Sequence, residues 1–389
     1  SDVYKRQKYN VKPMSTFGVH IVDDMTLQIE LENPCCYFLE LICHPLYFPM
    51  HSRSDHVYSN LSWCKNKEYI CNGPFQIKQA IDGERYTLIK NLLYWDKTNV
   101  KLDFIIFSHM TTQIAIEQFK NKKIHWIGTP WSSWDLPLQP LLPKRCLNNN
   151  KNTHCIYWLI FNVEQFPFHN KKIRQALSRI LNRKKICSVF PKELIPAFAP
   201  LPTSSHLNNY NTKGSSPRAL FQEGLEELNL SIQSFPEIIL TYSNNDMWKK
   251  IAILIKSQWE DMFGIQCKLE AHHEEHFTTL YAKNRHIATV NWYSTISDPI
   301  YTFYSFFAQG ECVNFPKWYN LRYQKLFLLA NRSISNREKY FAKMEEILLD
   351  ETPIIPIAYK KSLFIKQKNL IAPPPLSNGF IDLKFSRLS

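Results

Sequence analysis

The 389-residue chain has no run of about 18 apolar residues, the length a helix needs to cross a bilayer, so no helical span is predicted. It has no pair of C-x-x-C knuckles. Its ten cysteines stand at 35, 36, 43, 64, 71, 146, 155, 187, 267 and 312, a spacing that gives no zinc ribbon. It also lacks a basic arm. Lys and Arg number 47 against 34 Asp and Glu, a formal net charge of +13, yet they come singly or in pairs such as Lys122-Lys123, Lys171-Lys172 and Lys360-Lys361. Charge scattered in this way reads as a solvated basic surface, and no nucleic-acid partner is expected. The opening stretch holds no basic region followed by an apolar one, so no secretory signal is visible. Strand-like alternation begins almost at once, as in the middle of a domain.

What is present is a globular composition, 44% hydrophobic and 21% charged, in a chain long enough for two or more domains. In a chain of this size most cysteines are expected to be buried small hydrophobes, with one or two disulfides in an oxidising compartment. Val19, Ile21, Leu27, Ile29 and Leu31 alternate on either side of Asp23-Asp24, which predicts a hairpin over residues 18–32. After Pro34, "CCYFLELICHPLYFP" reads as a short helix and loop. A second hairpin is predicted between Asn72 and Asn91, turning at Asp82-Gly83. A strand at "KLDFIIFSHM" and a helix at "TTQIAIEQFKNKKI" follow.

The pattern restarts at "HCIYWLIFNVEQFPF", a strand, and at "NKKIRQALSRILNRKKICSVF", an amphipathic helix with Ile173, Ala176, Leu177, Ile180 and Leu181 on one face. Arg174 and Arg183 are expected on its structural surface. A surface loop is predicted from Pro200 to Pro217. Then strands "PEIILTYS", "GIQCKLEA" and "HIATVNWY" alternate with helices "NDMWKKIAILIKSQWEDMF" and "EEHFTTLYAKN". Such alternation implies an α/β fold with a mostly parallel sheet covered by helices, whose ligands sit beyond the carboxyl ends of the strands.

Three segments carry candidate chemistry. "NWYSTISDPIYTF" (Asn291 to Phe303) is either a buried strand ended by Asp298-Pro299, with core aromatics, or a strand opening into an aromatic-walled pocket. "EAHHEEHF" contains His272, Glu275 and His276 in the H-x-x-E-H order of an inverted zinc hydrolase; the alternative is an exposed polar loop. "GTPWSSW" offers Trp131, Ser132 and Trp134 as a binding surface or as hinge and core packing.

The segments "GVHIVDDMTLQIELENPCCYFL", "NGPFQIKQAIDGERYTLIKNLLYWD", "FNVEQFPFHNKKIRQALSRILNRKKI", "PEIILTYSNNDMWKKIAILIKSQWEDMFGIQCKLE" and "ETPIIPIAY" occur in an order that resembles one family. It is the extracellular solute-binding proteins, family 5, which deliver oligopeptides and dipeptides to bacterial ABC transporters. The resemblance covers nearly the whole chain from Gly18. It implies a two-lobed periplasmic-binding-protein-like fold of type II with the first lobe incomplete, in a fragment of a longer protein. Residues 1–50 would be a remnant of the small extra domain and crossover, 51–157 with 366–389 part of the first lobe, and 158–365 the second lobe.

The same resemblance implies a monomeric, non-enzymatic receptor without cofactor, periplasmic or attached to the cell surface. Its partners would be a peptide held in the interlobe cleft and the permease subunits in the membrane. Asn291 and Tyr293 would pair their backbone with the peptide like an added strand, while Trp292 and Tyr293 supply aromatic surface. Relatives carry Asp, which holds the peptide's α-ammonium, where this sequence has Thr295. Asp298 could replace that carboxylate or serve as a turn former before Pro299. Trp131 and Ser132 fall where relatives line the cleft, and Glu274 where many have a pocket Trp. The alternatives are a truncated fragment that binds nothing and a zinc-dependent hydrolase.

Overall fold

The computed structural model describes residues 18–44, 47–49, 70–128, 131, 147–191, 193–201, 215–272, 285–294, 296–307, 314–374 and 381–389. The predicted Pro200–Pro217 loop and the "EEHFTTLYAKN" helix fall largely outside them. In chain order the strands are β1 (Val19–Asp23), β2 (Thr26–Ile29), β3 (Phe75–Ile81), β4 (Arg85–Lys90), β5 (Phe104–Ser108), β6 (Trp126–Gly128) and β7 (Leu147–Phe161). They continue as β8 (Leu194–Pro196), β9 (Ile238–Ser243), β10 (Cys267–His272), β11 (Ile287–Tyr293), β12 (Ile354–Lys366), β13 (Leu370–Ile371) and β14 (Arg387–Leu388). No helix among the described residues is long and apolar enough to cross a membrane.

Contacts divide the chain into two units, one formed by residues up to Leu41 with Cys155–Lys360, the other by Ile42–His154 with Lys361–Ser389. The sequence expectation put the corresponding bounds at 158 and 365, and set residues 1–50 apart.

In the second unit, β3, β4 and β5 form an antiparallel meander. Its first turn uses Gly83 at φ +70°, a conformation that side chains resist. Helix Thr112–Lys120 starts at Thr111, whose hydroxyl accepts from the amide of Ile114, and buries Ala115, Ile116 and Phe119. These pack with Ile127 of β6 and with Leu363 and Ile365 of β12, which pairs antiparallel with β6. The C-terminal tail is fastened here by Lys384. Its ammonium lies 2.6 Å from Asp96 and against the rings of Tyr94, Trp95 and Phe385.

The first unit is built on the strand order β10-β9-β11-β7-β12, with β8 on β12. β10, β9 and β11 are parallel, and β7 is antiparallel to β11. Period-2 alternation in β7 serves two cores at once. Cys155, Tyr157, Leu159 and Phe161 face one, with helices Lys171–Arg179, Pro217–Glu227 and Asp246–Phe263. Ile156, Trp158 and Ile160 face the other, with helices Ile300–Tyr304, Leu321–Arg332 and Arg337–Glu351. Cys35, Cys36, Cys43, Cys71, Cys155, Cys187 and Cys267 are free thiols; burial pushes Cys155, Cys187 and Cys267 up to about 12, so these three are packing residues at neutral pH.

Arg174 and Arg183 depart from the expected surface position, for both are buried. Arg174 donates to the carbonyls of Phe168, His169, Glu351 and Thr352, with the Glu351 carboxylate 3.8 Å away. Arg183 donates to the carbonyls of Pro356, Ser178 and Leu181. Each guanidinium therefore ties loop and strand backbone together inside the unit.

Helices Lys171–Arg179 and Pro217–Glu227 approach each other at Gly224. A Cβ there would stand 2.7 Å from Ile173 Cδ1 and 3.2 Å from its backbone nitrogen, and Ile173 is fully buried. Gly224→Ala should therefore lose about 1–2 kcal/mol of stability, because overpacking outweighs the roughly 1 kcal/mol gained in helix propensity. Urea titration of the variant tests this; a more stable variant would contradict it.

Candidate functional site

The strand singled out in the sequence, β11, is asymmetric in its pairing. All seven of its residues pair with β7, from Ile287 opposite Phe161 to Tyr293 opposite Cys155. On the other side only Ile287 and Ala288 pair with β9. Beyond Ala288 the neighbouring groups turn to other partners. The amide of Ser243, at the end of β9, donates to the hydroxyl of Thr289 at 3.1 Å. Asn245 caps helix Asp246–Phe263 by accepting from the amide of Trp248. The indole of Trp248 in turn donates to the Asn291 side-chain oxygen at 2.7 Å. From Thr289 to Trp292, the β9-side edge of β11 has no strand partner among the described residues. This edge lies at the carboxyl end of the parallel strands, where α/β sheets place ligands.

The side chains on this edge divide in their roles. Asn291 is half-buried and engaged with Trp248. Trp292 turns inward: its ring stacks on Trp158 at 5.5 Å and contacts Tyr301 at 5.6 Å, and its Nε1 donates to Thr302 at 3.1 Å. Tyr293 is 53% exposed and so offers aromatic surface beside the open edge. Of the two aromatics expected to face a ligand, Tyr293 has an exposed ring and Trp292 is packed against the second core.

Beyond β11, Asp298 is held in a partly buried ion pair. Arg337 Nη1 and Nη2 meet its two oxygens at 2.5 and 2.9 Å, and the amide of Ile300 donates to Oδ1 at 2.9 Å. The two side chains are only 10% and 12% exposed. Arg337 also donates to the Ala330 carbonyl and to Cys36 Sγ, and lies over the rings of Tyr37 and Phe341. Burial works against its charge, but the hydrogen bond and charge of Asp298 outweigh it and hold the guanidinium above its ordinary value. Tyr37, raised by burial and by Cys35, donates to Asn331 at 2.9 Å. One element further along the same segment, the carboxylate of Glu40 accepts from the amide of Ser297. Sequence reasoning did not single out Arg337, Tyr37 or Glu40; no local pattern joins residues 36–40 to a loop near 297.

The remaining candidates are Trp131, Thr295, Ser132, Glu274 and the histidine-glutamate segment. Trp131 belongs to the second unit, is 46% exposed, and packs its ring against Phe107 at 4.6 Å. Thr295, Ser132 and Glu274 lie outside the described residues, as do Glu275 and His276. His272 ends β10 with its ring nitrogens 2.9 and 3.2 Å from Arg285 Nη2. Among the described residues no group of three or more possible metal ligands occurs.

An unpaired edge at the carboxyl end of parallel strands is where α/β sheets place ligands. The family model of the bacterial extracellular solute-binding proteins, family 5 Middle, matches residues 2–312. The chain belongs to that family. It is 28% identical over 370 residues to the oligopeptide-binding protein OppA of Bacillus subtilis, covering 91% of this chain and 67% of the relative. It is 26% identical over 381 residues to the dipeptide-binding protein DppE of the same organism, covering 94% and 68%. The chain thus spans about two thirds of the length of these relatives. Among solved structures, Haemophilus influenzae OppA in complex with RPPGFSPFR superposes with a TM-score of 0.80 at 22% identity, covering 97% of this chain and 76% of that one. The Escherichia coli murein tripeptide-binding protein MppA gives 0.78 at 20%, covering 95% and 74%. These likenesses establish the type II periplasmic-binding-protein fold.

Proposed function

We propose that this chain is the substrate-binding component of a peptide ABC importer, and that an extended peptide adds as a strand to the open edge of β11. The observation that carries this reading is the edge itself: β11 keeps its full pairing with β7, while from Thr289 to Trp292 no described strand pairs with its far side. A peptide main chain supplies the donors and acceptors such an edge lacks, whatever its side chains. Tyr293 adds an exposed ring against which a peptide side chain can lie. Family membership and relatives named for oligopeptide and dipeptide binding point the same way.

The protein works without catalysis in this reading. His272 faces a guanidinium, a poor setting for a metal cation, so the hydrolase alternative has no support from its first proposed ligand. The partners are the peptide and the membrane permease subunits, with no nucleic acid. The receptor is a monomer held in the periplasm or at the cell surface. Calorimetric titration of the purified chain with oligopeptides should give saturable heat at about one peptide per chain, with the negative heat-capacity change of apolar burial. No saturable heat with any oligopeptide would contradict the reading.

A further inference from the structure

We propose that Glu40 is a specificity-determining residue of the β11 site, supplying the carboxylate that receives a cationic group of the ligand. The group is the α-ammonium of the peptide or a Lys or Arg side chain near it. The inference rests on the peptide-binding reading above.

Its first support is position. Ser297 lies four residues beyond the last residue of β11, and its amide donates to Glu40 Oε1. That hydrogen bond fixes the Glu40 carboxylate against the loop that leaves the open edge, and a carboxylate already held in place loses little freedom when a cation arrives. The second support is charge. Two carboxylates approach this loop, Glu40 and Asp298, and one guanidinium, Arg337. Arg337 engages both oxygens of Asp298, so that charge is cancelled where it stands. Glu40 has no basic partner among the described residues, and its hydrogen bond to Ser297 engages a single oxygen. The node therefore keeps one uncompensated negative charge, in a chain whose formal net charge is +13.

The third support is environment. Glu40 is half-buried in helix Phe38–Ile42, which follows Tyr37, the residue whose ring lies against Arg337. A cation meeting a carboxylate there is less screened than at a fully solvated surface. The same geometry disfavours Asp298 as the receiving group: freeing it would require breaking a bidentate pair whose members are 10% and 12% exposed.

The test uses three probes, tetra-alanine, its N-acetylated twin, and the acetylated peptide with lysine in place of the first alanine, titrated into the chain and into Glu40→Gln and Glu40→Asp. The wild-type chain should bind at least one of the cationic probes about tenfold or more tightly than acetylated tetra-alanine. Glu40→Gln keeps an acceptor for Ser297 but loses the charge; it should bring that ratio to about one. Glu40→Asp should restore part of the ratio. Preference for tetra-alanine alone identifies the α-ammonium as the ligand cation, and preference for the acetylated lysine peptide identifies a side chain. A wild-type chain that binds all three equally, or a Glu40→Gln chain that keeps the full ratio, overturns the proposal while leaving peptide binding intact. Should Glu40→Gln bind no probe, a Glu40→Asp chain that binds without discrimination overturns it as well. Failure of the wild-type chain to bind any probe contradicts the peptide-binding reading, and this proposal with it.

Discussion

Arg183→Ala is expected to lower the stability of the first unit by about 3–5 kcal/mol, the range for removing one member of a buried, hydrogen-bonded charge system. The guanidinium donates to Pro356 at 2.7 Å and to Ser178 and Leu181 at 3.3 and 3.4 Å, and lies 5.4 Å from the centre of the Phe198 ring. Burial pushes it down to about 10, which leaves it protonated at neutral pH. Alanine would strip the β12 and helix-end carbonyls of their donor and open a cavity beside the Phe198 ring. Lysine is no substitute, since one ammonium cannot reproduce the planar fork that reaches three carbonyls. Denaturant titration of Arg183→Ala and Arg183→Lys checks this; a loss under about 1 kcal/mol in both would show that water enters and satisfies the carbonyls.

Arg337→Leu is expected to cost about 3 kcal/mol and to loosen the loop that follows β11. The substitution leaves the Asp298 carboxylate 12% exposed with no cation, and removes the bridge to Ala330 and the ring contacts with Tyr37 and Phe341. Asp298→Asn should cost less, because the neutral amide can still accept from Ile300 and from the guanidinium. The double variant, Arg337→Leu with Asp298→Asn, should cost clearly less than the sum of the single changes, with a coupling of at least about 1 kcal/mol. Additive effects within about 0.3 kcal/mol would mean that the pair is not the link that holds the loop.

Local rules made much of this architecture legible. The alternation at "HCIYWLIF" anticipated a strand, and β7 proved to feed two cores because both of its faces are apolar. The Asp82-Gly83 turn formed where Gly was placed to take a positive φ. Helix Asp246–Phe263 begins after a capping Asn245 and stops at Gly264 in the left-handed conformation, both readable from residue type. The misreadings share a different cause. Arg174 and Arg183 look like polar-face residues until the chain brings Glu351, Thr352 and Pro356, more than 170 positions away, against them. For Trp292 the sequence leaves core packing and ligand surface both open, and Thr302 and Trp158 draw its ring inward. Glu40 and Arg337 carried no signal at all, because their partners Ser297 and Asp298 belong to distant sequence. Periodicity reports which face is buried; it says nothing of which distant polar groups will meet there.

The same distinction applies to β11. Its apolar start and aromatic end marked a strand, but the failure of β9 to follow it beyond Ala288 is a property of the sheet. Hydrogen–deuterium exchange with and without saturating peptide tests the account most directly. Of the half-buried residues Asn291 and Trp292, any amide that faces away from β7 should exchange readily in the free chain and become protected when peptide is added, as a new strand takes it up. Saturable peptide binding with these amides unchanged, and protection confined to other segments, would contradict it.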